Sequence, residues 1–448
     1  MEFHKFIEQA GLEIKSYQQE GVDWCVNREG SNEFCKGGII ADDMGLGKTI
    51  MMIGTMIQNF KMPNLIILPL VLVEQWVEKF KQTTGHTPLV YYGGVKKAIT
   101  PNMLQNIPVV LTTYGTMIYD YKTEKKFQAV KWSRIIFDEA HHMRNKVTHC
   151  YKSAMSLQSD IKWLITGTPI QNHINDLYSL FDVLDIPNKI YTKTDNLRHL
   201  MNTIVLKRTK KEVGIKLPPV HMCKVKSLWK NEDEQKFTET VHNNIGTNKK
   251  MLLAMMMYER MMCVYPNLLD GVNMKTIREM GIGNDYVNGI QHHSKMDSVI
   301  DCIVERKCNG NRKIIFTNFK GEIDFIKKKL SEQGMNIEYI DGRVTNRQRK
   351  LILNNVLDVL ILQIKTGNEG LNLQQYNEVY FVTPDWNPQT EEQAIARCHR
   401  MGQQKDVYVF RFIMDSFDKE NKTTNIEMYS EEVQTRKREI EKNICENK

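Results

Sequence analysis

Asp42, Asp43, Met44, Gly45, Leu46, Gly47, Lys48 and Thr49 follow the apolar run Gly38 to Ala41 and precede a methionine-rich, helix-favouring run. The pattern is strand, glycine-bearing turn, helix. In that setting a Gly-Lys-Thr ending has a physical meaning. Small residues let backbone N–H groups close around phosphates, and the helix start adds its positive end. Lys48 then reaches the outer phosphates and Thr49 ligates magnesium. The stretch predicts a phosphate cradle built from Asp42, Gly45, Gly47, Lys48 and Thr49. The full motif places a glycine where Asp42 stands, so only its second half is matched, and a plain helix cap would use the same residues.

Short apolar runs recur along the chain with amphipathic stretches between them: Leu65 to Leu68, Val109 to Thr112, Arg134 to Phe137 and Trp163 to Thr166. Buried strands alternating with helices predict a parallel sheet covered on both faces. A second series, Lys313 to Thr317, Ile337 to Ile340, Val359 to Ile364, Glu378 to Val382 and Val407 to Ile413, predicts a second lobe of the same kind. The expected fold class is α/β, with two doubly wound parallel-sheet lobes at residues 1–185 and 296–415. Residues 186–295 are polar and lysine-rich and read as a helical insertion, and 416–448 read as a charged C-terminal helix that docks back on the body. Within the insertion, Met251 to Met262 is apolar nearly all round, which predicts a buried helix. The basic run Lys207, Arg208, Thr209, Lys210, Lys211 reads as a nuclear signal, a phosphate contact or a solvated face, the last being the default.

A length of 448 residues exceeds one ordinary core and predicts two or three domains of roughly 100–200 residues each. Hydrophobic residues at 41% and charged residues at 25% exclude the disordered class. The net charge of +8 leans towards an anionic partner without deciding for one. Nine cysteines include no C-x-x-C pair and no Cys/His cluster at zinc spacing, which predicts free intracellular thiols. The longest apolar run, Leu65 to Val73, is interrupted by Pro69 and falls far short of the roughly 20 residues of a membrane span. A soluble protein with no membrane partner is expected.

The predicted strand Arg134 to Phe137 runs into Asp138, Glu139, Ala140 and His141. Carboxylates at the C-terminal end of a parallel strand sit where such sheets bind ligands. Asp138 can then share a magnesium ion with Thr49, and Glu139 can orient and deprotonate an attacking water. Upstream, the carboxamide of Gln18 offers both a donor and an acceptor for the edge of adenine. Downstream, Thr166 to Asn172 forms a Gly- and Pro-bearing turn able to sense the nucleotide. In the second lobe, Gln393, Arg397 and Arg400 are spaced four and three apart, a shared helical face that presents two guanidinium groups. Such arginines, supplied across a cleft, neutralise charge in phosphoryl transfer, although an arginine pair on a helix also suits a surface salt-bridge set.

Taken in order, Y-Q-x-x-G from Tyr17, D-D-M-G-L-G-K-T, D-E-A-H, T-G-T-P-I-Q-N, D-W-N-P at Asp385 to Pro388, and Q-A-x-x-R-x-H-R-M-G-Q from Gln393 to Gln403 resemble the Swi/Snf-type ATPases of helicase superfamily two. Gln75 and Trp76 after Pro69, Lys207 to Lys210 before Leu217, Pro218 and Pro219, and Asp341 with Gly342 match as well. The acidic residue at Asp42 is ordinary in that family. The resemblance covers nearly the whole chain and implies two RecA-like lobes with helical insertions and DNA-stimulated ATP hydrolysis that drives movement along duplex DNA. It implies that Gln18 contacts adenine, Lys48 and Thr49 the phosphates and magnesium, Asp138 the magnesium, Glu139 the water, and Arg397 with Arg400 the γ-phosphate.

The family's DNA contacts fall on Thr112, Thr113, Thr317, Asn318, Lys365 and Thr366, and on the loop as far as Asn372. The sequence departs from the family at Asn368 and Glu369. Arg144, Asn145 and the Gly-Leu-Asn-Leu ending at Leu373 lean towards a repair-type branch, without the RING insertion common there. The implied cofactors are ATP and magnesium. The implied partner is double-stranded DNA, within a nucleosome or a transcription or repair complex, for a monomeric enzyme. Such a protein works in the nucleus of a eukaryotic cell, or at a viral replication site or in a virion if the Asn- and Lys-rich composition marks a large DNA virus. A strand-separating helicase on DNA or RNA, or a nucleotide-gated DNA clamp, would use the same motifs.

Overall fold

A computed structural model of the chain describes residues 2–13, 15–167, 169, 174–243, 252–269, 293–364, 371–417 and 424–446. Two compact units are present: Met1–Lys216 with Ile440–Lys448, and Leu217–Glu439.

The first unit is organised by seven strands: β1 Gly37–Ile40, β2 Asn64–Leu68, β3 Leu89–Val90, β4 Val109–Thr113, β5 Trp132–Asp138, β6 Ser159–Ile165 and β7 Val205–Leu206. Their order is β3-β4-β2-β5-β6-β1-β7, and every pairing is parallel. Alternation along each strand sends neighbours to opposite faces. Ile39, Leu65, Ile67, Ile135, Phe137 and Leu164 pack into one core cluster, while Ile40, Ile66, Leu68, Ile136, Trp163 and Ile165 pack into another. Burial on both faces is why these strands read as continuous apolar runs. The second cluster also takes residues from helices α1 Glu2–Gln9, α2 Ser16–Gly30, α3 Lys48–Gln58 and α4 Val73–Thr84, among them Phe3, Val22, Met51, Met52 and Trp76.

The second unit has six parallel strands in the order β10-β11-β9-β12-β13-β8. They are β8 Val220–Ser227, β9 Lys313–Thr317, β10 Ile337–Ile340, β11 Val359–Gln363, β12 Glu378–Phe381 and β13 Val407–Met414. Helix Ile426–Glu446 follows, and it docks on this unit through Gln434, whose amide donates to Glu391 Oε1 at 2.8 Å, and Lys437, which donates to the Trp386 carbonyl at 2.8 Å.

Residues 186–295, expected as a helical insertion, divide between the two units at 216/217. They supply an edge strand to each sheet, with Val205 paired to Ile39 and Val220 paired to Val407. Edge strands need only partial burial, and the alternating Val-His-Met-Cys-Lys-Val-Lys-Ser of β8 lacks the apolar continuity that betrays a central strand.

The methionine-rich helix, Leu252–Val264, is also less buried than its composition predicts. Leu253 is 84% and Met257 48% exposed, while Glu259 and Arg260 face inward. Those charges are tolerated because they are bonded: Glu259 accepts the Ile426 N–H at 3.0 Å and Arg260 donates to the Pro384 carbonyl at 2.7 Å. Cysteines 25, 35, 150, 223, 263, 302, 308 and 398 are free thiols, and no helix is long and apolar enough to cross a membrane among the described residues.

Candidate nucleotide site

β1 ends at Ile40, in register with Ile165 of β6, which is in register with Asp138 at the end of β5. The predicted loop and the acidic pair are therefore brought together at the C-terminal edge of one sheet. After β1 the chain turns through Gly45 (φ +92°) and Gly47 (φ +84°), a left-handed conformation that favours glycine. Gly47 has a second requirement, because a Cβ there would lie 2.3 Å from Gln18 Nε2. α3 starts at Lys48, so its first amides border the turn, as a phosphate site requires. Lys48 Nζ folds over the loop and donates to the carbonyls of Asp42 at 2.7 Å and Asp43 at 3.4 Å.

The underside of the loop is held by a residue of the basic run 207–211, for which a solvated face was the default among three readings. Asp42 is fully buried, and Arg208 meets its carboxylate with three donors: the backbone N–H at 3.0 Å, Nε at 3.2 Å and Nη2 at 2.6 Å. Arg208 also donates to the Tyr17 carbonyl at 2.6 Å, while Lys210 N–H reaches Asp43 Oδ2 at 3.0 Å. The Asp42 side chain is thus paired with Arg208, while its carbonyl accepts from Lys48 Nζ. An acidic residue in a closely packed loop demands a buried counter-charge, the one signal that could have singled out Arg208. Gln18 is buried against the same loop, its amide donating to the Leu46 carbonyl at 3.2 Å.

Among the described residues, Asp138 accepts two protein hydrogen bonds, from Trp76 Nε1 to Oδ2 at 2.7 Å and from the Glu139 N–H to Oδ1 at 3.0 Å. The Tyr114 hydroxyl donates to its carbonyl at 2.8 Å. Burial, and then the adjacent Glu139 charge, push the Asp138 carboxyl up to about 7, against the pull of the indole bond and of Lys48. Glu139 stands at φ +53°, uncommon for a side-chain-bearing residue, with His141 Nδ1 at 3.3 Å from its Oε2. Two neighbouring buried acids form a site whose charge a divalent cation would balance, and each Asp138 oxygen accepts one protein donor and retains further lone pairs. The chemistry of the Asp138 carboxylate therefore fits magnesium.

The turn after β6 comes alongside the loop, since a Cβ on Gly167 would lie 3.6 Å from Met44 and 3.9 Å from Lys48 Nζ. Thr168 and Ile170 to His173 lie outside the described residues.

In the second unit, helix Pro388–Cys398 is started by Asn387, whose side chain accepts the Gln389 N–H, with Pro388 in the first turn. It carries Gln393 and Arg397. Arg400 lies past its end, so the shared helical face holds for the first two and not for the third. The helix stops at His399, whose backbone leaves the helical region (φ −92°, ψ 77°) and whose Nε2 bonds to the Pro218 carbonyl at 2.8 Å. Arg400 is half-buried, burial lowers its pKa, and no carboxylate among the described residues forms an ion pair with it.

The predicted nucleic-acid contacts separate into two groups. Thr112, Thr113 and Thr317 are buried, with hydroxyls engaged by the Tyr91 carbonyl, by the helix start at Thr116 and by the Leu362 carbonyl. Asn318 is half-buried and Asn372 exposed. Lys365, Thr366, Asn368 and Glu369 lie outside the described residues.

A loop of this kind on one parallel sheet, with a second parallel sheet following in the chain, defines a two-unit α/β protein of the phosphate-loop class. Residues 17–268 match the SNF2-related domain and residues 294–402 the helicase conserved C-terminal domain. The chain belongs to the SNF2-related family. It is 28% identical over 442 residues to mouse Chromodomain-helicase-DNA-binding protein 1-like, covering 90% of this chain and 48% of that protein. It is 26% identical over 451 residues to human SWI/SNF-related matrix-associated actin-dependent regulator of chromatin subfamily A member 1, covering 91% and 42%. The chain spans less than half the length of these relatives. Among solved structures, the Sulfolobus solfataricus SWI2/SNF2 ATPase core in complex with dsDNA is similar at 24% identity and a TM-score of 0.43, over 97% of this chain and 93% of that one.

Proposed function

We propose that this chain is a DNA-stimulated ATP hydrolase that couples hydrolysis to movement along double-stranded DNA and so remodels or displaces protein complexes bound to it. The observation that carries the reading is the buried Asp138 and Glu139 pair, in register across the sheet with the strand that enters the Lys48 loop. The loop amides and the start of α3 take the phosphates. Lys48 exchanges the Asp42 and Asp43 carbonyls for outer phosphate oxygens, and Gln18 serves the adenine from its place beside the loop. Glu139 orients the attacking water and accepts its proton. Thr49 and Asp138 would hold magnesium, which when bound neutralises charge on the triphosphate. Gln393, Arg397 and Arg400 are assigned to the γ-phosphate, where guanidinium groups stabilise the charge of phosphoryl transfer.

Double-stranded DNA as the partner is supported by the family, by the net charge of +8 and by relatives named for DNA binding and chromatin. Thr112, Thr113, Thr317, Asn318 and Asn372 are the described residues proposed to lie along it, with Lys365 and Thr366. A nucleosome or a transcription or repair complex is the proposed cargo of a monomeric motor.

Steady-state ATP hydrolysis with duplex DNA, single strands and RNA tests the reading. Duplex DNA should stimulate most, with an apparent affinity that falls steeply with salt as counterions are released. Stimulation by RNA alone, or by no nucleic acid, would overturn it.

A further inference from the structure

The two hydrogen bonds on Asp138 differ in origin. The bond to Oδ1 comes from the next residue along the backbone, whereas the bond to Oδ2 comes from Trp76 on α4, 62 residues away in sequence. Trp76 is 1% exposed and packs in the same apolar cluster as Met51 and Met52 of α3, the helix that begins at Lys48. Its ring is therefore fixed by close packing rather than by the bond itself. An indole N–H donates a single hydrogen bond and carries no charge. It can orient a carboxylate without neutralising it, whereas a lysine or arginine in the same place would compete with a cation for that charge.

We infer that Trp76 is a positioning residue for the metal site: by occupying one lone pair of Oδ2 it sets the direction in which Asp138 presents the rest to magnesium. The inference rests on Asp138 being the metal ligand, and its test keeps the two apart. Partners that orient metal ligands from behind are worth roughly 10–100-fold in metal affinity. A residue that merely filled space beneath α3 would change stability and leave metal affinity alone.

The full chain, as wild type, Trp76→Phe, Asp138→Asn and the double variant, would be titrated with Mn²⁺ in the presence of a non-hydrolysable ATP analogue, free Mn²⁺ being read by electron paramagnetic resonance. Trp76→Phe should weaken Mn²⁺ binding by about 10–100-fold, leave metal-free binding of the analogue unchanged, and add nothing in the Asp138→Asn background. Wild-type Mn²⁺ affinity in Asp138→Asn would remove the ligand assignment and the inference with it. A weakened Asp138→Asn beside an unaffected, folded Trp76→Phe would overturn the inference alone, as would an equal loss in both backgrounds. Should Trp76→Phe not fold, ¹⁵N-indole spectra of the wild type and Asp138→Asn supply the test. One indole N–H should shift on adding Mg²⁺ with the analogue and on replacing Asp138, and no shift in either case would overturn the proposal.

Discussion

Arg208 Nη2 lies 2.6 Å from Asp42 Oδ2 across 166 residues of sequence, and the pair ties the edge of the first sheet to the underside of the phosphate loop. Asp42 has no exposure to solvent, so removing its partner would leave a buried, uncompensated charge. Arg208→Ala should therefore lose about 3–5 kcal/mol of stability and bind ATP more weakly, because the loop loses its support. Lys211→Ala, an exposed neighbour in the same basic run, should stay within about 0.5 kcal/mol of wild type. Calorimetric melting and nucleotide titration of both variants check this, and equal stabilities would refute the scaffold role.

Lys48 and Glu139 stand at the same sheet edge with different tasks. Lys48→Ala removes the charge that meets the phosphates and should abolish both ATP binding and turnover. Glu139→Gln keeps size and polarity but cannot take a proton, and should bind ATP normally while turnover drops by about 10²–10⁴-fold. Fluorescent-nucleotide binding beside a phosphate-release assay separates the two, and an equal loss of binding in both variants would contradict this division of labour.

Glu322, in the helix that follows β9, is fully buried and accepts the Asn318 N–H at 3.1 Å. Burial pushes its carboxyl up to about 8, against the pull of the backbone N–H groups and the Lys295 and Arg260 charges. The folded value lies above the unfolded one, so the native state holds this proton more tightly. Stability is thus lost as the pH rises from about 4.3 towards 8, and it is fully present below that window. Glu322→Gln keeps an acceptor for Asn318 without a proton to lose. It should melt above wild type at pH 9, by about 2–4 °C for each kcal/mol recovered, and the gap should close below pH 4.5. A constant difference between pH 4 and 9 would assign the effect to packing instead.

Central strands were legible almost to the residue, as β9 Lys313–Thr317 and β11 Val359–Gln363 illustrate, because burial on both faces writes a continuous apolar run. The edge strand β8 was not, since its alternating polar residues mimic a surface helix, and β7, the two residues Val205–Leu206, is too short to show any pattern. At the site, the Lys48 loop and Asp138 were picked out by local motifs together with the family resemblance, and the structure brings both to one sheet edge. Arg208 looked like solvated charge because its burial depends on Asp42, a contact that no local window contains. The intramolecular partners of Thr112, Thr113 and Thr317 were hidden for the converse reason: a threonine at a strand end reads as an exposed donor, and only the neighbouring strands reveal the carbonyl or helix start that its hydroxyl meets. Trp76 was visible as a family match, but its bond to Asp138 exists only once α4 packs under the sheet edge.

Arg400 provides the sharpest test of catalysis, because its surroundings distinguish two readings of the same side chain. A surface salt-bridge arginine sits beside a carboxylate, and losing it costs at most about 1 kcal/mol while chemistry continues. Arg400 instead lies half-buried just past the end of helix Pro388–Cys398, with no carboxylate ion-paired to it among the described residues and with burial lowering its pKa. A guanidinium held out of water without an anion is poised for one that arrives with a ligand. If that ligand is the triphosphate in its transition state, the charge contributes little to ground-state binding and much to turnover. Arg400→Ala should then bind ATP and DNA nearly as wild type while DNA-stimulated kcat falls by roughly 10³–10⁵-fold. Arg400→Lys should recover little, since a point charge lacks the planar fork that meets two phosphate oxygens at once. Single-turnover kinetics, ATP affinity and melting temperature of both variants decide the matter, and near-normal kcat in a folded Arg400→Ala protein would remove Arg400 from the chemistry.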